Sequence, residues 1–284
     1  MSPAVRMLRR SALCWLALSP LVVLVLFPFA VMLSTGLKPI DEVLAWPPRW
    51  LPTRIGWRNF ADMWQAADFG TALLNSLGIS LLATALAIAV AVPAAYAMAR
   101  LELRGRGLYR QFLLVTQMLS PILLVLGLFR MAAAIPFGDG TLVDTRTGVV
   151  IIYGAFNIAF AVWMLSSYFA TIPRDLEEAA WLDGCTRAGA VARIFLPLAV
   201  PAISVTAIVT FVAAWNEFTV ALTMLRDPSK LTLTLRVVNL VAGRYSVQWN
   251  QVMLATLLAT LPVAVVFAIL QRYLVQGLTL GAVK

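Results

Sequence analysis

The chain has 284 residues, 61% of them apolar and only 12% charged, with a formal charge of +9 and no histidine. A water-soluble domain carries about 25% charged residues, so too few polar side chains remain here to coat a water-facing surface, and much of it must face lipid. Histidine catalysis and histidine metal sites are excluded, Cys14 and Cys185 suggest neither a disulfide framework nor a zinc site, and the positive charge reads as membrane topology rather than nucleic-acid binding.

A helix needs about 20 apolar residues to cross about 30 Å of hydrocarbon. Six uncharged runs reach or nearly reach that length: Ser11–Leu37, Phe69–Ala99, Gln111–Phe129, Thr147–Pro173, Ile194–Asn216 and Tyr245–Gln271. The third ends at Arg130, whose side chain can snorkel to the interface, and the fifth continues past Glu217 to Leu225. Barrel strands are about half as long, so the expected fold is an all-α integral membrane protein of six transmembrane helices. The first run, preceded by Arg6, Arg9 and Arg10, is too long for a signal peptide and reads as a retained anchor. That basic tail and the cluster Arg100, Arg104, Arg106 and Arg110 place both termini inside. The outer loop Lys38–Asp68, rich in Pro and Trp, is expected along the outer interface. Residues 1–70 form the tail, first span and outer loop, 71–272 the transport domain, and 273–284 a cytoplasmic tail. Within the transport domain the spans fall near 75–99, 111–133, 148–171, 202–225 and 248–271, with a long cytoplasmic loop at 173–201. Pro93, Pro121 and Pro262 read as helix kinks.

No nucleotide site is present: the three lysines follow Leu37, Ser229 and Val283, so no Gly-Lys-Ser/Thr cradles a phosphate. GxSxG, HExxH and paired-Asp metal motifs are also missing. A transporter coupled to protons or sodium shows several ionisable groups inside its helices, and Glu217 is almost the only one here. Energy for uphill transport would therefore come from another subunit.

The loop Pro173–Gly184 crowds Asp175, Glu177, Glu178 and Asp183 into a short stretch. Asp175 is the expected N-cap with Glu178 as capping-box partner, and Gly184 stands where a positive-φ terminator is wanted. Thr186 then caps a second helix through Ala188–Phe195, which Pro197 is expected to interrupt. On the first helix Glu177, Glu178 and Asp183 disfavour contact with an anionic membrane surface, and Ala179 and Ala180 leave a small-residue face for another protein.

These residues resemble a known family. The pattern E-A-A-x3-G-x9-I-x-L-P marks the integral membrane subunits of type I ABC importers, and Glu178, Ala179, Ala180, Gly184, Ile194, Leu196 and Pro197 match it in full. The stretch Gln271–Lys284 and the run Trp215-Asn216-Glu217-Phe218 look like the carbohydrate permeases, specifically the maltose-system second-permease type. The resemblance implies a type I importer (MetI-like) transmembrane domain, N-in and C-in, in the cytoplasmic (inner) membrane. It implies that Glu178, Ala179, Ala180, Asp183, Gly184, Ile194, Leu196 and Pro197 form the coupling loop docking on a separate cytoplasmic ATPase. The implied assembly holds a second permease subunit, two copies of the ATPase and an external solute-binding protein, in a lipid bilayer and without nucleic acid. No cofactor is implied on this chain, ATP and Mg lying on the ATPase, and the tail can reach between the paired ATPase subunits.

The residues leave several roles open. Glu217 with Asn216 either lines a translocation path or gate, or hydrogen-bonds a neighbouring helix. Gln117, Tyr153 and Asn157 can hydrogen-bond sugar hydroxyls or, the simpler reading, other helices. A carbohydrate is the expected substrate; a polyol or sn-glycerol 3-phosphate is the alternative in the same class, although no span interior carries the Arg or Lys a phosphate calls for. A stand-alone secondary transporter and a membrane-embedded enzyme are the readings from other classes.

Overall fold

The computed structural model describes residues 3–138, 140–242 and 247–280, with side chains described over 14–138, 140–242 and 247–271. In chain order the helices are α1 (Pro3–Leu37), α2 (Ile40–Val43), α3 (Arg58–Ala66), α4 (Phe69–Arg100), α5 (Arg106–Met118) and α6 (Pro121–Ala134). After a two-residue antiparallel hairpin pairing Pro136 with Thr141 come α7 (Arg146–Phe169), α8 (Asp175–Leu182) and α9 (Arg187–Asn216). The last are α10 (Thr219–Met224), α11 (Leu233–Asn239) and α12 (Trp249–Leu280). Among the described residues α1, α4, α7, α9 and α12 are each long and apolar enough to cross a membrane.

The expected third span is not a straight helix. α5 and α6 meet at 97° across Leu119 and Ser120, and make a sixth crossing only when the bent pair counts as one broken span. The cause is local: Pro121 disfavours helical backbone at the residue before it, and Ser120 sits extended at ψ 134°. Pro121 is thus the first residue of α6, where its missing N–H costs nothing, rather than a kink inside a span. Pro93 and Pro262 do lie inside helices. The fifth crossing also differs from a span over 202–225. It begins at Arg187, runs unbroken to Asn216 and stops at an extended Glu217. Pro197 does not interrupt it, because Val191–Phe195 form a π turn in which the Leu196 N–H bonds the Val191 carbonyl five residues back. That wider turn accommodates the proline without breaking the helix axis.

The chain divides into two compact units. In the unit of residues 1–69 and 237–260, the Asn59 amide donates to the carbonyls of Gly36 (2.8 Å) and Lys38 (2.9 Å), holding α3 to the end of α1. Only Met63 of α3 is buried. Trp46 (90% exposed), Trp50 and Trp57 keep most of their ring surface free, as suits a headgroup zone.

In the unit of residues 70–236 and 261–284, α4 presents Ala83, Ala87, Ala91, Ala95 and Ala99, four residues apart and all nearly or fully buried. Small side chains on one face let backbones approach closely, which is how helices associate where lipid removes the hydrophobic drive. One core gathers Ile79, Val149, Tyr153, Val220 and Met224; the other gathers Met98, Leu165, Phe169, Phe195 and Ala199.

Thr145 caps α7 by accepting from the Gly148 N–H (3.0 Å) while its hydroxyl donates to the Leu142 carbonyl (2.7 Å). A Cβ on Gly148 would lie 2.3 Å from that carbonyl oxygen. Gly148→Ala is therefore expected to lose about 3 kcal/mol through overpacking of a backbone that cannot step aside. Gly127→Ala, with nothing within 4 Å of the new Cβ, should be near neutral. Thermal denaturation of the two purified variants in detergent separates these outcomes.

The same end of α7 carries a charged clasp. Asp144 accepts from the backbone N–H groups of Arg226 (2.9 Å) and Asp227 (3.0 Å), and its other oxygen meets Lys230 Nζ at 3.0 Å. Asn75 fastens the same loop to α4 by donating to the carbonyls of Ser229 and Leu231. Desolvation opposes ionisation of Asp144, but the two backbone bonds and Lys230 outweigh it and hold the carboxyl below its usual range. The hydrogen bond to Asp144 raises Lys230. A depressed acid stabilises above its unfolded pKa and loses that as pH falls through the folded value; a raised lysine stabilises below its unfolded pKa and loses that as pH rises. The stability difference between wild type and Asp144→Asn should therefore be flat from about pH 5 to pH 9 and shrink below about pH 4. Melting curves across that range test it.

Candidate functional site: the α8 turn and a polar cavity at the helix breaks

Two places gather the candidate residues. At the first, α8 starts one residue earlier than expected: Arg174, not Asp175, is the N-cap, its carbonyl accepting from the Glu177 (2.9 Å) and Glu178 (3.1 Å) N–H groups. No side chain caps this end, so the Asp175–Glu178 capping box does not form. Asp175, Glu177 and Glu178 instead place negative charge in the first turn, where the helix dipole favours it. The C-terminus is as expected. Gly184 has φ +82°, its N–H bonds the Trp181 carbonyl (3.1 Å), and the Cys185 N–H bonds the Ala180 carbonyl (2.9 Å). Together they form a complete Schellman turn. Thr186 then caps α9 by accepting from the Gly189 N–H at 3.1 Å.

This geometry sorts the motif residues. Glu178, Ala179, Asp183, Gly184 and Pro197 are exposed, Ile194 and Leu196 half-buried, and Ala180 buried. Leu176 (42% exposed), Ala179 and Leu182 (89% exposed) lie three apart along α8 as an exposed apolar stripe. Across the turn the Arg187 guanidinium stacks over the Trp181 ring at 5.5 Å. A cleft of about 380 Å3 lies behind α8, lined in part by Tyr96, Arg100, Arg174, Glu178, Trp181 and Arg187.

Sequence reasoning missed Glu177. It is 3% exposed, its Oε1 lies 2.8 Å from Arg100 Nε, and its Oε2 accepts from the Tyr96 hydroxyl at 2.7 Å. The Nε–Oε1 approach is charge on charge rather than an aligned hydrogen bond, since neither atom has a hydrogen-bond partner. The readable signal was the pair Glu177–Glu178. Neighbours on a helix point about 100° apart, so an eight-residue helix lying on a bundle turns one of them inward.

At the second place, the breaks in α5–α6 and after α9 open a cavity of about 210 Å3. It brings together Gln117, Tyr153, Asn157 and Glu217, four of the five residues singled out for a path or gate. The fifth, Asn216, is exposed and donates back to the Val212 carbonyl (2.9 Å). The Glu217 carboxylate is spoken for: it accepts from the Val220 N–H (2.9 and 3.1 Å) and the Ala221 N–H (3.3 Å), closing the open end of α10. The Tyr153 hydroxyl donates to the Glu217 carbonyl at 3.2 Å, and the Asn157 amide to the Tyr153 carbonyl at 2.8 Å. Among the described residues no Lys or Arg lines this cavity. The tail Arg272–Lys284, expected to reach an ATPase interface, lies outside the residues whose side chains are described.

Five long apolar helices, a bent pair and an exposed helix–turn–helix formed by α8 and the start of α9 define a multi-pass membrane protein. Residues 91–280 match the family "binding-protein-dependent transport system inner membrane component", and the chain belongs to it. It is 34% identical over 270 residues to the sulfoquinovosyl glycerol transport system permease protein SmoH of Agrobacterium fabrum, covering 95% of this chain and 93% of that one. It is likewise 34% identical over 277 residues to the trehalose transport system permease protein SugB of Mycobacterium tuberculosis, with 97% and 98% covered. In three dimensions it resembles a chain of a bacterial ABC transporter involved in the import of the acidic polysaccharide alginate, with a TM-score of 0.73 at 21% identity, covering 96% of this chain and 98% of that chain. The importer permease fold expected from the sequence is thus the family's, with five long apolar helices and the bent α5–α6 pair where a third straight span was expected.

Proposed function

We propose that this permease carries a neutral carbohydrate across the cytoplasmic (inner) membrane as one of two permease subunits, with N- and C-termini inside. In this reading α8 docks through Leu176, Ala179, Leu182 and the Glu178 side chain into a cleft of a separate ATPase that binds ATP and Mg. A solute-binding protein delivers sugar to the other face. ATP-driven closure of two ATPase subunits displaces α8 and switches the bundle between inward- and outward-facing states. The observation that carries this is an exposed apolar helix–turn–helix on a chain whose sequence holds no nucleotide motif, beside relatives named for the transport of sulfoquinovosyl glycerol and trehalose. The polar cavity supports a neutral polyhydroxyl solute over sn-glycerol 3-phosphate. Amides and a phenol line it, and no cation is there to meet a phosphate.

The test is to purify the assembled complex in lipid and ask which solute-loaded binding protein accelerates ATP hydrolysis. Acceleration by a neutral sugar, with uptake that stops when ATP is withheld, is expected. Transport by this polypeptide alone under an ion gradient would sink the reading, and acceleration only by a phosphorylated solute would replace its substrate.

A further inference from the structure

α8 carries two buried side chains among its eight residues, Glu177 and Ala180, and the Glu177 carboxylate is its buried polar anchor. That carboxylate grips two residues one turn apart at the end of α4, Tyr96 and Arg100. The Arg100 side chain is itself 7% exposed and reaches further: Nη2 donates to the Ile172 carbonyl (2.7 Å) in the α7–α8 connection, and the guanidinium stacks over the Phe195 ring at 5.2 Å. Phe195 closes the π turn of α9 and meets Tyr96 and Phe169 edge-on at 5.0 and 4.9 Å. This buried ion pair and the rings around it therefore link the end of α4, the α7–α8 connection, α8 and the π turn of α9.

We infer that the Glu177–Arg100–Tyr96 tie is the joint through which displacement of α8 reaches the membrane helices, and that Glu177 and Arg100 are positioning residues for coupling rather than ATPase contacts. This rests on the functional reading above. A buried charge pair is a poor way to add stability, because hydrophobic side chains of similar volume do as well or better. It is a good way to forbid slippage, since either charge separated from its partner is left buried and uncompensated. Glu178, the motif glutamate one residue on, is exposed beside the cleft it helps to line and is free to meet the ATPase. The two adjacent acids divide the work, one outward and one inward.

The test uses the complete complex in proteoliposomes: both permeases, the ATPase and a loaded binding protein. Three quantities are read for each variant: ATPase retained on purification, stimulated ATP hydrolysis, and solute moved per ATP. Glu177→Gln and Arg100→Met should keep the ATPase bound and hydrolysing while solute per ATP falls by about tenfold. The double variant Glu177→Met with Arg100→Met leaves no unpaired buried charge, so it folds even where a single variant does not; it should show the same fall. Unchanged solute per ATP in the double variant overturns the joint. So does a fall in uptake matched by a loss of bound ATPase, which would make Glu177 a docking contact. Failure of the wild-type complex to couple uptake to ATP overturns the functional reading and the joint with it, whereas a coupled wild type with coupled variants overturns the joint alone.

Discussion

Replacing Gly184 by valine should reduce uptake at least about tenfold, whereas Gly184→Asn should stay close to wild type. The argument is conformational. Gly184 has φ +82°, and no atom lies within 4 Å of where a Cβ would stand, so neither substitution meets a clash. What differs is the cost of left-handed backbone: about 1–2 kcal/mol for an ordinary residue, more for a β-branched one, and less for asparagine. Few helices would lose function to a strain of that size. α8 has eight residues and two buried side chains with which to resist it. The Schellman bonds from Gly184 to Trp181 and from Cys185 to Ala180 set the angle at which α9 leaves, so relieving the strain re-aims the helix carrying Leu176, Ala179 and Leu182. Uptake in cells, read beside co-purification of the ATPase, is the measurement. Equal uptake by the valine and asparagine variants would show that the left-handed turn is not required.

The long helices were legible because lipid demands a single property, continuous apolarity, and the uncharged runs display it. Direction was not. The run Gln111–Phe129 is uncharged on both sides of Ser120, and the backbone restriction ahead of Pro121 is what turns α6 through 97°. Glu217 shows the same limit. The residue was visible as an acid inside a span, but that the helix ends there and the acid closes the next one depends on an extended residue at ψ 129° that hydropathy does not encode. The Schellman turn was readable down to its glycine, because a short helix has few ways to end. Asp175 misled because it has the chemistry of an N-cap, yet Arg174 takes that place and leaves the acid to serve the helix dipole. Glu177 was hidden for a different reason. Its partners lie in α4, and nothing in the order of residues announces that a charge on the α8 loop meets one at the end of an apolar helix.

Glu217→Ala should destabilise the permease by about 2 kcal/mol, whereas Glu217→Gln should leave most of the stability and uptake within about twofold of wild type. Val220 and Ala221 are fully buried, and the Glu217 carboxylate is the acceptor for both their N–H groups. Alanine strands these donors away from water, and an unmet buried donor costs more than the bond it loses was worth. Glutamine keeps one acceptor oxygen at nearly the same reach, so the closure of α10 survives without the charge. The prediction thereby separates the two roles open to this residue. If its work is to close the helix break and hold Tyr153 and Asn157 around the cavity, the neutral isostere transports. If the negative charge itself meets the passing solute, glutamine folds like wild type and fails to transport. The geometry favours the first, since the carboxylate is within 3.3 Å of two backbone donors. Melting temperature and initial uptake rate, measured on all three proteins, decide between them.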